Sequence, residues 1–164
     1  MVASNFERAF NFVLADMKGD TADSHDGISQ DQYAAWGHIH GSPVGSVAQI
    51  SPQTVKAIYF IDFWSPWCDR LPNGIDYLFF DCCITMGAAE AAIVLQRALD
   101  LEGRLLTGNI NILTVVLAQR YEDKAKLAES MILQHDRNHA LLLTEVGDLY
   151  TTQLMYGWKD RIAH

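Results

Sequence analysis

Apolar residues recur at helical spacing along most of the chain, and nowhere at a spacing of two over a useful length. Phe6, Phe10, Val13, Leu14 and Met17 fall on one helical face. Ser4 and Glu7 stand ahead of it in the arrangement of a capping box, and Gly19 supplies the stop. Residues 20–31 are polar and acid-rich, with Gly27 suited to a tight turn and Ile28 directed at a core. Residues 31–36 read as one or two helical turns anchored by Tyr33 and Trp36. Residues 37–50, with Gly37, Gly41, Pro43 and Gly45, read as loop, which makes His38 and His40 loop polar residues.

Ser51 and Pro52 pair an N-cap with a proline at the first helical position, and Val55, Ile58, Tyr59 and Asp62 follow at helical spacing. Residues 63–72, FWSPWCDRLP, are aromatic-rich and irregular. Residues 73–86 read as a buried helix stopped by Gly87, and residues 88–101 as a second helix. Gly103 and Gly108 bracket a turn before a short helix over 109–118. Residues 121–146 form a long amphipathic pattern, with Leu127, Met131, Leu133, Leu141 and Leu142 facing inward, and residues 150–162 close the chain. Without a period-two run of β-branched residues, the expectation is a mainly α, multi-helix single domain. It has at most one small hairpin near residues 20–30.

Composition narrows the function classes. A chain of 164 residues is one domain with enough length for a core. The net charge of −8 argues against nucleic-acid binding, which needs a basic surface. The longest apolar candidate, residues 84–99, is interrupted by Thr85, Gly87, Glu90, Gln96 and Arg97, short of the ~20 residues of a membrane helix. The start carries no basic segment leading into an apolar run, so no signal peptide is expected, and the expected location is the cytoplasm. Cys68, Cys82 and Cys83 are a poor disulfide framework, being odd in number with two adjacent. They read as reduced and buried, and the adjacent pair lacks the C-x-x-C spacing usual for metal. His135 and His139 stand at i, i+4 without the glutamate of an H-E-x-x-H site, and read as a polar helix face. Neither a G-x-S-x-G elbow nor a glycine-rich phosphate loop is present. No cofactor and no metal is expected.

Several local sequences, taken in order, resemble glycoside hydrolase family 108, the N-acetylmuramidases of phages and bacterial secretion loci. FERAFNFVL resembles the family's first helix, which runs on into His-Glu-Gly-Gly; here that tetrad is Asp16-Met17-Lys18-Gly19. Residues 24–29, SHDGIS, resemble Thr-Asn-x-Gly-Ile-Thr. Ala57-Ile58-Tyr59 through Phe63-Trp64-Ser65-Pro66 resembles the Tyr…Tyr-Trp-x-Pro element. Asp69-x-Leu71-Pro72-x-Gly74, then Phe80-Asp81 and Gly87, resemble the next one. Leu95-Gln96-Arg97-Ala98-Leu99 and Gly157-Trp158-x-x-Arg161 resemble the last two. The resemblance implies a lysozyme-like fold, with residues 1–72 as a muramidase-like part and 73–164 as a helical peptidoglycan-binding-like part.

Two departures fall at the cleft that the resemblance implies. Met17 stands at the position of the glutamate, and the loop before Gly27 is several residues shorter than the family's. Glycoside hydrolysis needs a carboxylic acid beside the leaving oxygen, held protonated in an apolar pocket. A thioether has no proton to give. Asp20, beyond Gly19, is one candidate replacement. Asp16 is another, although it is turned by about 100° around the helix from position 17. Aspartate is a methylene short, and a misplacement of ~1 Å can cost about 100-fold in rate. Ser24, His25 and Asp26 are placed to orient a sugar or a water. Trp67, between Pro66 and Cys68, is the aromatic best placed to stack on a sugar, while Tyr59, Phe63 and Trp64 read as core.

Two functions compete. In the first, the chain is a degenerate muramidase-fold protein of phage or prophage origin that binds without cleaving. Its partner would be peptidoglycan glycan or a protein, such as a host system that it inhibits. In the second, it is an active peptidoglycan hydrolase with Asp20 or Asp16 as the acid. Neither involves nucleic acid or membrane insertion.

Overall fold

The computed structural model describes residues 3–17 and 20–146. They form two compact units, divided between Pro66 and Trp67.

The first unit begins with α1 (Ala3–Asp16), which buries Phe6, Ala9, Phe10 and Val13 along one stripe. Ser4 already lies inside this helix, so the expected capping box is not its start; Glu7 instead forms an ion pair with Lys56. The helix closes where the Met17 amide donates to the carbonyls of Val13 and Leu14, 3.2 Å each. Gly19, expected as the stop, lies outside the described residues.

Next comes the one small antiparallel hairpin: β1 (Ser24–His25) pairs with β2 (Ile28–Ser29), with Ser24 opposite Ser29 and His25 opposite Ile28. Its turn residues, Asp26 and Gly27, both have positive φ, at 48° and 78°. That is a type I′ turn, whose twist matches the strands and which favours Asp-Gly.

The hairpin hands over directly to α2 (Gln30–His40), and here the capping box is real. The Ser29 hydroxyl accepts from the Gln32 amide at 3.2 Å, and the Gln32 carboxamide accepts from the Ser29 amide at 3.0 Å. This helix is longer than expected from sequence. Gly37 sits inside it, buried, because Val44 packs where a side chain would be: a Cβ there would lie 1.8 Å from a Val44 methyl. Gly41, at φ 63°, is the actual terminator, so His38 and His40 are helical and exposed. The loop that follows is tied back by Gln30, which donates to the Gly45 carbonyl and accepts from the Val47 amide at 2.7 Å.

α3 (Pro52–Ile58) starts as the sequence predicts, with Ser51 capping the Thr54 amide at 3.1 Å. It does not then break. It widens into a π-helix over Tyr59–Trp64, in a stretch that reads as partly irregular from sequence. Widening the turn lets Tyr59 and Trp64, five residues apart, both turn inward, at 1% and 0% exposure. Trp64 and Phe10 each stack against Phe6 at 5.5 Å, and Phe10 meets Tyr59 at 5.5 Å, giving the unit an aromatic core.

The second unit opens with a 3-10 turn (Cys68–Arg70), followed by α4 (Ile75–Met86), α5 (Ala88–Ala98), α6 (Ile112–Arg120) and α7 (Lys124–Val146). Helices α4, α5 and α7 pack on one another and bury Leu78, Phe79, Phe80, Val94, Leu95, Leu127 and Met131. Gln96 is fully buried and organises the loop before α6. Its amide nitrogen donates to the Thr107 hydroxyl at 2.9 Å and the Asn109 carbonyl at 3.0 Å, and its oxygen accepts from the Thr107 amide at 3.0 Å. Two α7 positions differ from expectation. Leu133 is exposed, whereas His135 is buried rather than part of a polar face. The side chains of His139, Leu141 and Leu142, and the segment 150–162 with Gly157, Trp158 and Arg161, lie outside the described residues. No described helix is long and apolar enough to cross a membrane.

All three cysteines are buried thiols. Burial pushes the Cys83 thiol up to about 12, and raises Cys68 and Cys82 as well. Burial likewise raises the Tyr59 phenol, with the charge of Asp26 adding to it. These groups keep their protons in the folded state at a pH where the unfolded chain has lost them. Above the unfolded values of 9.0 and 10.0 the unfolded state therefore binds fewer protons, and stability falls as pH rises. The expected result is a denaturation midpoint that is flat up to about pH 8.5 and drops steeply by pH 10.5, by up to about 1.4 kcal/mol per pH unit for each group. Urea titrations at the two pH values measure it.

Candidate functional site

The sequence candidates of the first unit converge on the hairpin. Position 17 follows the last turn of α1, so its side chain is delivered to the outer face of the type I′ turn. The Met17 thioether is half-buried and lies against Gly27. A Cβ on Gly27 would stand 2.5 Å from the Met17 sulfur, 3.1 Å from its methyl and 2.6 Å from the Tyr59 hydroxyl. Glycine is therefore required twice, once by φ and once by space. Met17 and Tyr59 converge on the turn from two different helices.

Tyr59 is more than packing. Its hydroxyl donates to the Asp26 carbonyl at 2.8 Å, joining the π-helix to the hairpin tip across 33 residues of sequence. The sequence reading missed this. The available signal was a tyrosine on an otherwise apolar helical face, since a buried hydroxyl needs a partner.

Asp20 staples the other side. One carboxylate oxygen accepts from the Asp26 amide at 2.9 Å, and the other faces His25 Nδ1 at 2.8 Å. His25 Nε2 in turn lies 3.6 Å from an Asp26 carboxylate oxygen. The imidazole thus sits between two carboxylates, all three side chains partly exposed. One ligand atom from each of Asp20, His25 and Asp26 falls within 4.8 Å of the others, the one such group among the described residues. Ser24 points to Thr21, hydroxyl to hydroxyl, at 2.9 Å.

This arrangement bears on the acid. A general acid must hold a proton and present it outward. Both oxygens of Asp20 instead face partners within the hairpin, the Asp26 amide and His25, while the side chain stays half-exposed. Asp16 ends α1, and its side chain is not among those described. Trp67 belongs to the second unit, where the Arg70 guanidinium lies 5.4 Å from its ring. A further carboxyl that the sequence reading did not single out is Asp62 on the π-helix. Burial raises it above the usual carboxylate range, while His40 acts in the opposite direction. His40 also stacks on Trp36 at 4.6 Å.

The family model described as glycosyl hydrolase 108 matches residues 13–87. No curated protein matches the chain. Among solved structures, SagA of Brucella abortus is similar, with a TM-score of 0.67 and 23% identity over 98% of this chain and 91% of that one. The likeness establishes a mainly α, lysozyme-like fold.

Proposed function

We propose that this chain, whose residues 13–87 match the glycosyl hydrolase 108 model, is a muramidase-fold protein that binds and does not cleave. The observation that carries the proposal is Met17. The residue at the position of the family's acid is a thioether that lies against Gly27 beside the Tyr59 hydroxyl. The nearest substitute, Asp20, is engaged within the hairpin by the Asp26 amide and His25. A thioether has no proton to give to a leaving oxygen.

The ligand proposed for the site is the glycan of peptidoglycan. Asp26, His25 and Ser24 would meet sugar hydroxyls. A phage or prophage origin and action inside a host cell accompany this reading. A protein partner, such as a host system that the chain inhibits, is the second version. A shallow groove in the first unit, lined by Phe6, Glu7, Gln53, Lys56, Ala57 and Phe60, favours it, as does the exposure of Ile61.

Co-sedimentation with purified sacculi tests the glycan reading. The wild-type chain should pellet with sacculi, and a His25→Ala/Asp26→Ala double variant should bind at least about threefold more weakly. A wild-type chain that stays in the supernatant would overturn glycan binding and leave the protein partner as the reading to pursue.

A further inference from the structure

We infer that Tyr59 is the positioning residue of this site, holding the hairpin tip so that His25 and Asp26 present their side chains in one fixed direction. The functional part of this inference rests on the glycan reading above. The hairpin has two residues per strand, and an isolated ribbon of that length has little stability of its own. Its tip must be held by something outside it. Within the hairpin region, the Asp20 carboxylate reaches the Asp26 amide, and the Gln30 amide donates to the Asp23 carbonyl at 2.9 Å. Both come from neighbours in sequence, and they move with the loop they tie.

Tyr59 is different in kind. It is 1% exposed, it sits where α3 widens into the π-helix, and its ring is clamped by Phe10 at 5.5 Å and Phe63 at 5.8 Å. A hydroxyl on such a ring has little freedom. Its bond to the Asp26 carbonyl therefore transfers the rigidity of the aromatic core to the turn. Asp26 is the residue so held, and it has φ +48°, a left-handed conformation that Asp adopts more readily than most non-glycine residues but still at some cost. Met17 presses on Gly27 beside the same contact, but a thioether on three rotatable bonds adapts where a phenol does not.

Tyr59→Phe removes the one oxygen and keeps the ring. Phe63→Leu serves as the packing control, since it loosens the same core without touching the hydroxyl. Amide hydrogen exchange is followed at Thr21, Asp26 and Gln30 in the hairpin and at Val55 and Ile58 in α3. In Tyr59→Phe the hairpin amides should exchange at least about tenfold faster than in the wild type, with the α3 amides changed less than threefold. Phe63→Leu should raise both groups together. Binding of Tyr59→Phe to sacculi should weaken at least threefold. A uniform change in Tyr59→Phe, with hairpin and α3 rising alike, would overturn the inference and reduce Tyr59 to packing. A local rise in hairpin exchange with unchanged sacculus binding would leave Tyr59 as the pin of the hairpin and count against the glycan reading alone.

Discussion

Trp64→Ala is expected to destabilise the first unit by about 3–5 kcal/mol, the largest loss of any single side chain there. Trp64 is fully buried, at 0% exposure, and stacks on Phe6, which in turn touches both Phe10 and Phe60. Deleting the indole opens a void in a core made of rigid rings, which close around a gap less readily than aliphatic chains do. It also removes the reason for the widened helical turn, because Tyr59 and Trp64 face inward together only with the π-helix between them. Chemical denaturation followed by tryptophan-independent circular dichroism measures the loss. A cost under about 1 kcal/mol would mean that the aromatic cluster is not what organises the unit.

Met17→Glu should give the site a proton donor at the position of the family's acid. A glutamate there would replace the thioether that lies against Gly27, partly withdrawn from water at the end of an apolar helix face. Partial burial raises a carboxyl toward the protonated form that an acid catalyst needs. General acid catalysis contributes roughly 100- to 10,000-fold, so the expected gain in release of reducing ends from peptidoglycan is at least about 100-fold over the wild-type background. The same change removes apolar packing, and should cost about 1–2 kcal/mol of stability in urea. A stable but silent Met17→Glu would locate part of the loss in the loop before Gly27.

Much of this molecule was legible in sequence because its signals are local. Ser51-Pro52 started a helix where that pair should, Gly87 stopped α4, and Asp26-Gly27 made the tight turn that Gly27 alone had suggested. The errors came where a tertiary contact outweighed a local preference. Gly37 reads as a breaker, yet Val44 fills the space beside it and the helix continues to Gly41. Ser4 and Glu7 match a capping motif, yet Ser4 lies inside α1 and Glu7 pairs with Lys56. No periodicity reveals a π-helix, because it is one extra residue per turn set by where Tyr59 and Trp64 must point. At the site, the substitution at position 17 and the carboxylates of the loop could be read directly. The contacts of Asp20 with Asp26 and His25 and the bond from Tyr59 to Asp26 could not, since both are set by distances between residues far apart along the chain or by the path of a loop.

The most direct test of binding without cleavage is release of reducing ends from purified peptidoglycan by the wild-type chain at high protein concentration, with Asp20→Asn run beside it. The account predicts no release above the level of buffer by either protein. Turnover by the wild type that Asp20→Asn abolishes would contradict it, and would make Asp20 the acid.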